Sequence, residues 1–227
     1  MKELEDIYGI KINNSELYKT ALTHPSYTKE KELPYTQNYE RLEFLGDAVL
    51  KLLTSDILYN KYPDYTEGNL SKIRSIVVSD STLSKIAHEI GLCEMIILAH
   101  HEAKQGLANL ESVCACAFEA VLGAFYLDGK QKEIKQFLEK VLTPYIEEVD
   151  GNFEKYNAKA ILQEYTQGID KHTPIYTLVE EKGPAHKKIF TVEVSYQGNV
   201  VAKGSGKTKK DAEQQAAFQA CKILGVI

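Results

Sequence analysis

The run Tyr39-Glu40-Arg41-Leu42-Glu43-Phe44-Leu45-Gly46-Asp47-Ala48-Val49-Leu50 sets three carboxylates in a segment that is otherwise mostly apolar. At about 100° per residue, Glu40, Glu43 and Asp47 fall within an arc of about 60° on a helix. Phe44 and Leu50 flank that arc, and Leu42, Leu45 and Val49 cover the opposite side. A helix apolar nearly all round is expected to be buried. Buried carboxylates are costly unless paired, protonated or bound to a metal. The stretch therefore predicts part of a metal site.

A second segment supplies a counterpart. Residues 112–127 are almost uniformly apolar, and their one carboxylate is Glu119. The acidic arc of the first helix is its natural partner. Glu67-Gly68-Asn69-Leu70 opens another helix. There Glu67 reads equally well as a further ligand or as an acid at a helix start. Oxygen ligands favour Mg²⁺ or Mn²⁺ over zinc. Cys114 and Cys116 lie two apart on a helix and face different directions. No second Cys/His pair has matching spacing, so no zinc site is expected and Cys114 reads as a small core residue.

The chain has 227 residues, enough for one large domain or two smaller ones. Its net charge of −5 hides an asymmetry: residues 151–227 carry 11 Lys and 8 acidic residues, and residues 1–150 carry 16 basic and 24 acidic ones. The acidic part suits cation binding and the basic part suits a polyanion. No apolar run is long enough to span a bilayer, and the first residues lack a signal-peptide core. The four cysteines are not needed as disulfide staples in a chain of this size. A reducing, cytoplasmic setting is expected.

Helical periodicity covers 16–23, 40–60, 68–90, 112–128 and 131–148, with breaks at Pro34, Pro63-Asp64, Gly91, Gly106 and Asp128-Gly129. Asp150-Gly151-Asn152 reads as a turn-like linker. Beyond it, 158–167 predicts a helix, and 175–180, 188–196 and 200–204 predict strands. Gln197-Gly198-Asn199 marks a hairpin turn, and 208–224 predicts an amphipathic helix. The expected fold is an all-α domain over 1–149 followed by a small α+β domain, α-β-β-β-α, over 150–227.

At this point the motifs resemble a known family. Glu40-Arg41-Leu42-Glu43-Phe44-Leu45-Gly46-Asp47 is similar, residue for residue, to the ribonuclease III motif. Leu22-Thr23-His24-Pro25-Ser26-Tyr27, Glu67-Gly68-Asn69-Leu70-Ser71 and Ala117-Phe118-Glu119-Ala120 resemble its other blocks, in order. Bacterial members commonly place Asn directly before the first Glu, where this chain has Asn38-Tyr39. The C-terminal module resembles a double-stranded-RNA-binding domain. The resemblance implies an all-α catalytic homodimer whose two Mg²⁺ sites cut opposite strands of an RNA duplex. The products would carry 5′-phosphate and 3′-hydroxyl ends with short 3′ overhangs. Mn²⁺ is expected to substitute. Glu43, Asp47 and Glu119 are the implied ligands and catalytic residues. Glu40 is a further catalytic acid, Glu67 a further acidic position, and the residues around Phe44 and Leu45 are candidates for the dimer interface.

One departure stands out. The family places Asp, a metal-site residue, where this chain has Cys116. A thiol is soft and mostly neutral at pH 7, a poor match for Mg²⁺. This is the sequence's one argument for a rival reading, a duplex-RNA-binding protein that cuts weakly or not at all. In the RNA-binding module the resemblance implies contacts from Gln163 and Glu164, from the loop Gly183-Pro184-Ala185-His186, and from Lys207, Lys209 and Lys210 at the start of the last helix. That helix N-terminus and its lysines suit a phosphate. Such domains read duplex shape more than sequence.

Overall fold

The computed structural model of the chain describes residues 1–184 and 187–227. It divides into two compact units, Met1–Glu148 and Val149–Ile227.

The first unit is helical: α1 (Lys2–Tyr8), α2 (Ser15–Ala21), α3 (Pro25–Glu30), α4 (Glu40–Lys61), α5 (Glu67–Val77), α6 (Asp80–Glu89), α7 (His100–Lys104) and α8 (Glu111–Leu127), followed by α9 (Gln131–Gly151). Helix α8 is its centre. Every residue from Val113 to Phe125 is buried except Cys116 and Glu119. Tyr8 and Tyr18 pack their rings on Phe125 at 5.0 and 4.8 Å between centroids. A helix enclosed in this way is apolar on every side, as residues 112–127 are.

Two expectations are corrected here. The periodic stretch 68–90 is two helices, because Ser79 takes an extended conformation and its side chain accepts from the amide of Thr82. This N-cap starts α6 afresh. The linker at Asp150-Gly151-Asn152 is also shorter than expected. Helix α9 runs through Gly151, and α10 (Phe153–Asp170) begins after Asn152 alone. A glycine inside a helix costs only about 1 kcal/mol, too little to force a loop.

The second unit follows α10 with β1 (Ile175–Lys182), β2 (Ile189–Tyr196), β3 (Asn199–Gly206) and α11 (Lys209–Ile223). The sheet is antiparallel, in the order β1-β2-β3. Gln197 and Gly198 make the β2–β3 turn, both at positive φ (51° and 78°), as a two-residue type I′ hairpin requires. Ala158 and Leu162 of α10, Val194 and Ala202 of the sheet, and Ala216, Ala217, Ala220 and Cys221 of α11 form the core. The alanines have a physical reason. A Cβ on Gly204 would stand 2.1 Å from the amide nitrogen of Ala216, so β3 and α11 meet backbone to backbone. Among the described residues, no helix is long and apolar enough to cross a membrane.

Candidate active site and RNA-binding face

Helices α4 and α8 touch at two glycines. A Cβ on Gly46 would lie 1.7 Å from the carbonyl oxygen of Glu119, and one on Gly123 would lie 2.3 Å from that of Leu42. Only hydrogen fits at either position. This crossing brings Glu43 and Asp47 of α4 to Cys116 and Glu119 of α8.

The start of α4 is held by residues 22–27. The amide of Tyr39 donates to the carbonyl of Thr23 at 2.9 Å, and its ring meets that of His24 edge-on at 5.5 Å. His24 in turn caps α3, its Nδ1 accepting from the amide of Ser26 at 3.0 Å. The Asn38 side chain accepts from the amide of Glu40 at 3.1 Å. Asn38 and Tyr39 are both buried. Tyr39 thus belongs to the site's frame.

The cluster is electrostatically frustrated. Burial, then the charges of Asp47, Glu43 and Asp80, push the Glu119 carboxyl up to about 8, against a smaller opposing effect of Lys51. Burial also raises Glu43. A hydrogen bond from the Cys116 thiol opposes that shift, and Glu40, Asp80 and Asp47 add to it. The Cys116 thiol is pushed up to about 12 by burial and by Glu43, Glu119 and Asp80, so it is neutral at pH 7. Asp47 is held by Lys51 at 2.8 Å.

Carboxylates crowded until one keeps its proton are relieved either by that proton or by a cation in its place. The hard oxygens of Glu43, Asp47 and Glu119 fit a divalent ion such as Mg²⁺. The protonated thiol does not fit as a ligand and acts as a hydrogen-bond donor to Glu43.

Sequence reasoning missed Asp80, the exposed first residue of α6. It acts on Glu43, Cys116 and Glu119, which lie 36 to 39 positions away along the chain. Locally it reads only as an acid at a helix start. Glu67 belongs elsewhere. Its carboxylate accepts from Ser71 Oγ at 2.7 Å, in a groove shared with Tyr59, Tyr65 and Arg74.

The expectation of a wholly buried α4 is also corrected. Phe44 is 82% exposed. It stands with Glu40 at a groove of about 830 Å³ lined by Leu17, Tyr35, Leu42, Leu45 and Leu127. Glu40 itself is exposed.

Cys114 is buried as expected, but it is not a solitary core residue. Its sulfur is joined to that of Cys93, with 5.5 Å between their Cα atoms.

On the second unit, Gln163 and Glu164 are exposed on α10, and Lys207, Lys209 and Lys210 are exposed at the start of α11. The Thr208 side chain caps that helix by accepting from the amide of Asp211. Lys209 Nζ lies 5.9 Å from the centre of the Phe190 ring. His186 lies outside the described residues.

Comparison with known proteins agrees with both units. The Ribonuclease-III-like family model matches residues 14–146, and the double-stranded RNA binding motif matches 158–224. Ribonuclease 3 of Lactococcus lactis subsp. lactis (strain IL1403) is 40% identical over 97% of this chain and 95% of that protein. Ribonuclease 3 of Staphylococcus aureus (strain JH9) is 42% identical over 95% of this chain and 88% of that protein. The nuclease domain of ribonuclease III from Campylobacter jejuni matches 63% of this chain and 96% of its own, at 31% identity and a TM-score of 0.57. In that structure a region involved in dimer formation is flexible. A helical nuclease unit followed by a double-stranded-RNA-binding module defines the class. The chain belongs to the ribonuclease III family.

Proposed function

We infer that the chain is an endoribonuclease specific for double-stranded RNA, hydrolysing phosphodiester bonds to leave 5′-phosphate and 3′-hydroxyl ends. The observation that carries this reading is on α8. The buried helix at the centre of the nuclease unit bares only Cys116 and Glu119 along its middle, against Glu43 and Asp47. Glu43, Asp47 and Glu119 would hold Mg²⁺, with Mn²⁺ able to replace it. When bound, the ion lowers the pKa of the attacking water and offsets charge on the phosphodiester. The chain's own contribution is preparatory. Glu119 would hold the ion as a carboxylate, Lys51 holds Asp47, and the Cys116 thiol orients Glu43. Asp80 adds negative charge that Cys116 lacks. Lys207, Lys209, Lys210, Gln163 and Glu164 grip the duplex. The setting we propose is the cytoplasm, in keeping with a chain of this size that does not need its cysteines as disulfide staples.

The test compares a fully paired RNA with its separate strands under Mg²⁺. Cleavage of the duplex alone, with 5′-phosphate ends, is the expected result. Equal cutting of single strands would contradict the reading. The rival, a duplex-binding protein without cleavage, rests on Cys116 alone, whose neutral thiol is a poor ligand for Mg²⁺; the ribonuclease 3 relatives do not favour it.

Cys116→Asp should lower the Mg²⁺ concentration needed for half-maximal cleavage by roughly tenfold, since a hard oxygen replaces a neutral thiol. Matching metal titrations for the two proteins would show that position 116 does not touch the ion. Lys209→Ala combined with Lys210→Ala should weaken binding to all duplex sequences about equally. It should flatten the salt dependence by roughly 0.9 in slope for each phosphate left without its lysine, taking B-form DNA as the guide. An unchanged slope would make these lysines ordinary solvated charges.

The chain is proposed to act as a homodimer, each copy burying its exposed Phe44 beside the other's groove. Phe44→Asp should convert a dimer to a monomer in sedimentation. A wild-type monomer at micromolar concentration would refute the assembly.

A further inference from the structure

We propose that the reduced chain carries a second metal site, made by His88, Cys93 and Cys114, that takes a thiophilic divalent cation such as Zn²⁺. The three residues come from separate elements: the last turn of α6, the 3₁₀ turn Cys93–Met95, and the first half of α8. Their ligand atoms all lie within 4.8 Å of one another. His88 Nε2 is 3.6 Å from Cys114 Sγ. Tetrahedral zinc with bonds of about 2.3 Å to sulfur and 2.0–2.1 Å to nitrogen places those two ligand atoms about 3.6 Å apart. The imidazole is the informative member, because a disulfide has no use for a nitrogen aimed at its sulfur.

The surroundings suit a soft ion. Both cysteines are buried, at 1% and 0% exposure, while His88 is exposed. Three protein ligands would thus leave one position facing water on the histidine side. Cys114 Sγ also lies 2.8 Å from the carbonyl oxygen of Ala108, which can accept the thiol proton in the metal-free, reduced form. The donors are two sulfurs and one nitrogen, unlike the oxygen cluster at Glu43, Asp47 and Glu119, so the two sites select different ions.

The joined sulfurs and the metal are alternative states. A low-molecular-weight thiol reduces the Cys93–Cys114 bond, giving two protein thiols and the oxidised, disulfide-linked form of the reductant. Zn²⁺ then binds both sulfurs and releases two protons to water. In a reducing compartment, paired cysteines beside a histidine serve as ligands more readily than as a cross-link, so the proposal rests on the cytoplasmic setting given above. The bound ion would pin the turn at Cys93 and the end of α6 to α8, two residues from Cys116.

The experiment uses the full chain, reduced, stripped with a chelator and titrated with Co²⁺ and then Zn²⁺. Cobalt bound by thiolates shows a sulfur-to-metal charge-transfer band that a carboxylate site cannot give. One Co²⁺ per chain with that band, displaced by Zn²⁺, is expected. Cys93→Ser should abolish the band and weaken Zn²⁺ by about a hundredfold or more, His88→Gln should weaken it measurably, and Cys116→Ser should leave it in place. Absence of the band in the reduced wild-type chain overturns the proposal whatever the variants do. A band that survives Cys93→Ser overturns it as well. Duplex cleavage is measured on the same preparation. Loss of the cobalt band with cleavage intact would sink this site and leave the nuclease reading untouched.

Discussion

Glu119→Gln is expected to lower duplex cleavage by about a thousandfold or more while leaving duplex binding nearly unchanged. A catalytic divalent ion is worth several kcal/mol of charge stabilisation, and each loss of about 1.4 kcal/mol costs a factor of ten. Gln keeps the shape of the side chain and removes its charge. The RNA-binding module, a compact unit of its own, is not altered. Near-normal cleavage at ordinary Mg²⁺ would remove Glu119 from the site.

The same variant has a pH signature whose sign is fixed by the direction of the shift. The Glu119 carboxyl titrates near 8 in the metal-free fold, against an ordinary 4.5. The folded chain therefore holds a proton that the unfolded chain has released. Metal-free stability should fall as pH rises from about 4.5 toward 8, then level off. Burial first, then Asp47, Glu43 and Asp80, set that slope and Lys51 opposes it. A saturating divalent ion should reverse the trend, since its binding displaces the proton. Thermal melts of wild type and Glu119→Gln across this range are the check. Wild-type and variant slopes that coincide would contradict the assignment.

Gly46→Ala should unfold the nuclease unit more readily, although propensity alone argues the opposite. In a helix interior, alanine is favoured over glycine by about 1 kcal/mol. Here the new Cβ would meet the Glu119 carbonyl at 1.7 Å, and backbone cannot yield as a side-chain tip can. Overpacking of this kind costs roughly 1–3 kcal/mol and occasionally more, so after the opposing propensity gain of about 1 kcal/mol a net loss of up to about 2 kcal/mol is expected. Gly123→Ala should behave alike, for the same reason on the other helix. Because the crossing also aligns Glu43 and Asp47 with Glu119, metal affinity should fall with stability. A melting temperature unchanged or raised in Gly46→Ala would show that the helices can part at no cost.

The acidic arc of α4 was legible because a period of 3.6 converts spacing directly into a shared face. Glu119 stood out as one charge in an apolar run. Strands were legible from alternation, although β1 runs on to Lys182 because a register shift between Leu178 and Glu180 lets pairing continue. What stayed hidden depends on distant partners. Asp80 gains meaning only when α6 packs beside α8. His88, Cys93 and Cys114 share no local spacing and meet only in the fold. Phe44 fits an apolar pattern equally well whether it is buried in its own chain or left for a second copy. Gly46 and Gly123 look like ordinary glycines until two backbones are placed against each other.

The most direct test of the account is cleavage of one perfectly paired RNA by the full chain, with Mg²⁺ and with the metal chelated, beside Glu119→Gln. Cutting that requires the divalent ion and collapses in Glu119→Gln is the predicted result. Duplex binding without any cutting, at Mg²⁺ or Mn²⁺ levels that saturate Cys116→Asp, would show that a cluster holding Cys116 in place of a carboxylate does not support catalysis.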